Sequence, residues 1–340
     1  MSKAATTEDK AVASNQKPAP VIDFHVHIVD EYVMKQAAGK TVITGFGTRP
    51  APQSKRGAPT RELTIPEVQI EDMDRDGVDI SVLTASTVNQ TTTWADPATE
   101  LDLCRRTNDT VAGWVSKYPK RFIGSFILPL QDMKLAMAEF DRCVTQHRMP
   151  VIQLPSQVKG AYMGEPEFRE LWAEIYAKQL TAMIHPEGVA DLWFQKFRMW
   201  NSIGQPIEEA KLITSLIYEG VLERHPGIKV VVSHGGGMLP HYMGRLDRNV
   251  YNMPDSMVNI SKKPSEYLRH LYFDSCVYMT DILETLITKV GADRIIFGSD
   301  YPVGDPDRVA FVRSPSNVSP EGLARMAGGT AAELLGLTGQ

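Results

Sequence analysis

Cysteine is scarce in this 340-residue chain: Cys104, Cys143 and Cys276 are widely spaced and form no C-x-x-C pair. Such a count excludes a disulfide framework and fits a reducing compartment. Long apolar runs are missing too. With no stretch of about 18 apolar residues, no transmembrane helix is expected. Positive charge does not dominate, since 36 Lys+Arg face 41 Asp+Glu for a formal charge of −5. The chain therefore has no polybasic footprint for nucleic acid. Its first nineteen residues carry acids and no apolar segment, unlike a secretory leader. These absences leave a cytoplasmic globular protein, with no nucleic-acid or membrane partner, as the expectation.

What is present is ordinary in bulk and specific in pattern. Apolar residues make up 43% of the chain and charged residues 23%, enough to bury a large core without staples. Residues 1–19 are polar and read as a disordered or draped arm. Residues 20–340 then read as a single domain. Short runs rich in Val and Ile recur at 21–27, 80–86, 122–130, 151–156, 181–186, 228–234, 271–277 and 294–300. Nearly unbroken runs of this kind are expected of parallel strands covered on both faces.

Helical patterns at 67–76, 97–118, 133–147, 166–179, 207–224 and 280–290 fall between most of the runs. The last of these has Thr280 or Asp281 as a candidate cap and Gly291 as its stop. Eight strands alternating with helices predict an α/β fold, a (β/α)8 TIM barrel, with a doubly wound open sheet as the competitor. A long insertion after the first strand, containing Arg49, Arg56 and Arg61, reaches almost to the helix at 67–76. It would lie at the C-terminal face, where barrel active sites are found.

The strongest local motif is Asp23-Phe24-His25-Val26-His27 at the end of the first run. Residues i and i+2 share a strand face, so His25 and His27 are expected to project together into the barrel mouth. Asp23 has the same parity and is a candidate to fix a histidine tautomer. His185 ends the fifth run, His234 the sixth and Asp300 the eighth. Four of the eight histidines thus stop apolar runs at one end of the expected barrel. Three imidazoles from His25, His27 and His185, with the Asp300 carboxylate, make a donor set that leaves a position open, as a catalytic metal requires. That set suits one zinc ion, with manganese or cobalt compatible. The fourth run, Val151-Ile152-Gln153-Leu154-Pro155-Ser156, offers no lysine for carboxylation and bridging, which favours a single divalent metal.

The segments just quoted, together with Ile207–Gly237, Leu239-Pro240, Gly244-Arg245-Leu246 and Phe297-Gly298-Ser299-Asp300-Tyr301-Pro302, resemble the amidohydrolase superfamily. The similar branch is that of α-amino-β-carboxymuconate-ε-semialdehyde decarboxylase, and the ordering matches from about residue 21 to 337. The resemblance implies a metal held by His25, His27, His185 and Asp300, and His234 as the acid–base residue beside it. It implies Arg245 as a substrate-binding residue, reaching across a dimer interface in some members, and hence a homodimer or dimer of dimers.

There are departures from that pattern. Tyr278 stands where the branch has a histidine after the seventh strand, and Gly329-Thr330-Ala331 replaces a Gly-Asn-Ala motif.

Two chemistries share these ligands. One is non-oxidative decarboxylation of an aromatic or unsaturated carboxylic acid, a carbon–carbon lyase with His234 shuttling the proton. The other is hydrolysis or hydration by a water activated at the metal. Forked guanidinium donors suit a small-molecule carboxylate, which makes Arg245, Arg49 and Arg61 the substrate-binding candidates. The glycines after His234, Gly235 to Gly237, are expected to leave room for substrate. The aromatic stretch Trp193, Phe194, Phe197, Met199 and Trp200 reads as packing or as a substrate wall.

Overall fold

The computed structural model describes residues 19–41, 60–189 and 192–337. The expected polar arm and the insertion segment carrying Arg49 and Arg56 lie outside the described residues. Eight parallel strands form one sheet: β1 (Ile22–Ile28), β2 (Ile80–Ala85), β3 (Phe122–Phe126), β4 (Val151–Leu154), β7 (Thr181–Ile184), β8 (Lys229–Val232), β9 (Tyr272–Asp274) and β10 (Ile295–Ile296). A hairpin of β5 (Gln157–Val158) and β6 (Ala161–Tyr162) follows β4. The sheet curls until its ends meet. The Phe24 amide donates to the Phe297 carbonyl at 2.8 Å and the His27 amide to the Tyr301 carbonyl at 2.9 Å. The fold is the expected (β/α)8 barrel.

Its strands are buried on both faces, which is why the sequence shows runs rather than alternation. Ile22, Phe24, Val82, Val151, Met183, Val231 and Ile296 fill the interior. Ala331 and Leu334, from the helix Thr330–Leu334, join that cluster. Val26 and Ile28 instead belong to the larger cluster that also holds helix residues such as Val111, Phe140 and Trp172. Parity therefore changes within β1, where the pairing with β2 shifts register between Asp23 and Val26. An irregularity of this kind re-aims side chains at a barrel rim. Here it releases His25 and His27 to the mouth.

Local chemistry sets the helix ends. Asp96 accepts from the Ala98 and Thr99 amides ahead of Pro97–Lys117, and Asp132 accepts from the Leu135 amide ahead of Met133–Thr145. Three boundaries differ from the sequence expectation. The helix at 207–224 is two helices, Gln205–Tyr218 and Val221–Arg224, separated by Gly220 at φ +71°. A Cβ at Gly220 would come within 2.6 Å of the Asn259 carbonyl oxygen, so the break is built in. The helix Thr280–Val290 ends at Gly291 as expected, but neither Thr280 nor Asp281 caps it. Met279 holds that position, and the Thr280 hydroxyl bonds Ser314 at 2.8 Å. The eighth run pairs with β9 over only two residues, and beyond them the Phe297 amide donates to the Met326 carbonyl.

Candidate metal centre

Four side chains expected from strand ends converge at the C-terminal mouth. His25, His27, His185 and Asp300 are all buried, and each offers a donor atom within 4.8 Å of the others. Their ring partners fix which atoms face inward. His25 Nδ1 bonds the Asp274 carboxylate at 2.8 Å, so its Nε2 is bare and lies 3.6 Å from Asp300 Oδ1. The Thr84 hydroxyl donates to the Val26 carbonyl and so accepts from His27 Nδ1 at 3.2 Å. His27 Nε2 is then bare too, 2.9 Å from the same Asp300 oxygen. The His185 ring centroid lies 5.0 Å from those of His25 and His27, and its Nδ1 has no hydrogen-bond partner.

Several lone pairs therefore point at one another in a dry site. Such an arrangement is costly unless a cation sits among them. Burial holds His27 below its ordinary pKa, and burial together with His27 and His25 holds His185 well below it. Neutral imidazole is the form that binds metal. Burial opposes ionisation of Asp300, but the surrounding His27, His25 and His234 rings outweigh it and hold the carboxyl at about 2. A divalent cation fits these donors.

His234 lies beside the four. Its ring centroid is 5.4 Å from those of His25 and His185. Nδ1 donates to Glu209 at 2.5 Å, and Nε2 stands 4.0 Å from Asp300 Oδ2. Burial opposes its charge, yet the Glu209 carboxylate raises its pKa to about 10. His234, Asp300 and Tyr278 have φ of +48°, +56° and +58°. Non-glycine residues held in that region concentrate at functional sites.

Several sequence expectations are corrected here. Asp23 holds neither imidazole ring. Because register shifts after it, its carboxylate accepts from the Ser299 amide and hydroxyl and from Arg308, at 3.0, 2.5 and 3.1 Å. Asp274 takes the role expected of Asp23. The glycines after His234 serve protein packing rather than substrate room: a Cβ at Gly236 would meet the Phe273 ring at 2.7 Å and one at Gly237 the Pro206 carbonyl at 2.4 Å. Trp193 and Phe197 are not core residues, being 53% and 90% exposed. Trp200 packs so close to Gly188 that a Cβ there would lie 2.8 Å from its ring.

Arg245 is exposed on the helix Leu239–Asn252, and Arg61 is exposed on Thr60–Thr64. The latter helix is tied to β1 by Gln69, whose amide donates to the His27 and Glu62 carbonyls. Three orienting residues went unread in the sequence: Thr84 for His27, Glu209 for His234 and Asp274 for His25. Only Asp274 carried a signal, an acid ending an apolar run as Asp300 does. A cavity of about 510 Å³ opens beside the end of β7, lined among others by Lys40, Trp94, Lys159, Tyr162 and Glu187. Its size suits a small organic ligand.

Comparison with known proteins adds to this geometry. Residues 22–337 match the family described as Amidohydrolase. A 2-amino-3-carboxymuconate-6-semialdehyde decarboxylase of Dictyostelium discoideum is 33% identical over 277 residues, covering 80% of this chain and 77% of the relative. The crystal structure of 5-carboxyvanillate decarboxylase from Sphingomonas paucimobilis superposes with a TM-score of 0.81 at 25% identity, covering 93% of this chain and 99% of that one. A dihydroxybenzoic acid decarboxylase from Polaromonas sp. JS666, solved with manganese and 2-nitroresorcinol, also gives a TM-score of 0.81. Its identity is 23%, over 95% of this chain and 98% of that one.

Proposed function

This chain belongs to the amidohydrolase family, and on that premise we propose that it is a metal-dependent, non-oxidative decarboxylase of an aromatic or unsaturated carboxylic acid. The observation that carries the reading is the division of labour at the mouth. Bare nitrogens of His25, His27 and His185 and one Asp300 oxygen face a common point, while His234 is held aside by Glu209. The relatives' decarboxylase names support the reaction class.

A divalent cation bound there supplies Lewis acidity toward the substrate's carboxylate and neighbouring oxygen. The chain's own residues do the rest. Glu209 fixes Nδ1–H of His234, so the second proton of the charged ring sits on Nε2, facing the open side of Asp300. That proton forms the new C–H bond. The bond to the carboxylate breaks, its electron pair stays in the conjugated system, and carbon dioxide leaves. Solvent then returns a proton to His234.

The resident ion in this reading is a single zinc, for which three imidazoles and a carboxylate are good donors. Manganese is the alternative to be separated by metal analysis. Arg61, Arg49 and Arg245 are the residues proposed to hold the substrate's carboxylate. A homodimer or dimer of dimers is proposed as well, supported by exposed Met238, Tyr242 and Tyr251 on or beside the helix that carries Arg245. A cytoplasmic setting is supported by three buried free cysteines. Among the described residues no helix is long and apolar enough to cross a membrane.

The test is product analysis with a panel of hydroxybenzoates and unsaturated dicarboxylates, run in deuterated water and, in parallel, in water labelled with oxygen-18. Equimolar carbon dioxide and one deuterium at the vacated carbon are expected. Incorporation of labelled oxygen from water without carbon dioxide would establish hydrolysis or hydration instead.

A further inference from the structure

Beside the four-donor cluster lies a second set of metal-competent atoms, which shares Asp300 with the first, includes His234 and adds a thiol, Cys276, that decarboxylation does not use. His234, Cys276 and Asp300 each offer a donor within 4.8 Å of the others. With Nδ1 engaged by Glu209, the free donor of His234 is Nε2, 4.0 Å from Asp300 Oδ2. The Cys276 thiol donates to the Tyr278 hydroxyl at 3.1 Å, and that hydroxyl donates to the same Asp300 oxygen at 3.3 Å. A nitrogen, a sulfur, a carboxylate oxygen and a phenol oxygen thus surround one point. The two oxygens of Asp300 divide between the sets: Oδ1 faces His25 and His27, and Oδ2 faces this one.

We propose that His234, Cys276 and Asp300, with the Tyr278 hydroxyl alongside, form a second and inhibitory site for a thiophilic divalent cation such as zinc or cadmium, bridged by Asp300 to the first. The inference rests on the reading above, since inhibition follows from occupying His234 Nε2. Ligand bonds of about 2.0–2.3 Å to nitrogen and sulfur place tetrahedral donors ~3–4 Å apart, close to the spacings found here. On binding, the Cys276 S–H bond and the Nε2–H bond of the charged His234 ring break, both protons pass to solvent, and sulfur and nitrogen donate to the cation with no change of oxidation state. Hard cations gain little from a thiolate, so manganese and magnesium should leave this site empty. The set also draws on a loop already fixed by packing: a Cβ at Gly235 would lie 2.5 Å from Val277.

Cobalt titration of the metal-free protein tests the inference directly. The first equivalent should bind without a thiolate-to-cobalt charge-transfer band, and the second should bring one. In Cys276→Ser, or in Cys276→Ala should serine unsettle the fold, the first equivalent should bind as before and the band should vanish. In turnover assays, free zinc at ~10 times its dissociation constant for the second site should leave roughly a tenth of the activity by mass action. Cys276→Ser should relieve that inhibition, and excess manganese should not cause it. Absence of the band at saturating cobalt, or its persistence in both Cys276 variants, overturns the inference while leaving the single-ion decarboxylase intact. A thiolate band arriving with the first equivalent overturns both.

Discussion

A proton on His25 Nδ1 decides what that residue can do. The buried Asp274 carboxylate holds it at 2.8 Å, which leaves Nε2 as a donor toward the centre. In Asp274→Asn the ring loses a charged partner and its orientation loosens, so metal affinity should fall ~10–100-fold, the usual range for such outer partners. Competition with a chromogenic chelator measures it, and unchanged affinity would argue that His25 is not a ligand. Glu209 has the corresponding role at His234. It raises the imidazole pKa, so the protonated acid persists to higher pH and is lost as pH rises through that value. Removing the charge in Glu209→Gln should move the alkaline limb of kcat/KM to lower pH, and an unmoved limb would detach Glu209 from catalysis. The convergence of His25, His27, His185 and Asp300 was readable in the sequence because each stands at the end of an apolar run. Glu209 was not, being 25 residues from its partner in sequence and buried by a helix-on-barrel contact that no local pattern encodes.

At the scale of elements, β1 shows where pattern reading succeeds for an incomplete reason. Strict alternation would place Asp23, His25 and His27 on one face. The register shift places the two histidines at the mouth and leaves Asp23 on Ser299 and Arg308. The histidines were anticipated; the irregularity that aims them was not, because it depends on pairing with β2 and on closure by Tyr301. The strand-to-loop segment after β10 has a similar dependence. A Cβ at Gly298 would lie 2.7 Å from Asp274 Cβ and 3.0 Å from His25 Cβ, between ligand and orienting partner. Gly298→Ala should therefore weaken metal binding while preserving far-ultraviolet circular dichroism. Full metal occupancy at micromolar ion would contradict this close fit.

For the molecule as a whole, the barrel's seam couples stability to the site. Arg308 is buried, donates to Asp23 at 3.1 Å and to Asp76 at 3.0 Å, and so clamps β1 to the C-terminal segment. Removing it in Arg308→Met strands a carboxylate that is fully buried. The expected cost is about 3–5 kcal/mol, as for one partner of a buried pair. Urea denaturation at unchanged m-value would show it, and a loss within experimental error would mean that Ser299 alone satisfies Asp23. The eight-strand count was readable from apolar runs, whereas the closing contacts, which join residues more than 270 positions apart, left no local trace.

Metal content and turnover measured on one preparation of His234→Asn bear most directly on the whole reading. Four other donors already converge, and His234 Nδ1 is committed to Glu209. The variant should keep its single divalent ion and lose at least ~100-fold in turnover, the low end for removal of a general acid. Loss of the ion would make His234 a ligand, and retained turnover would remove it from the chemistry.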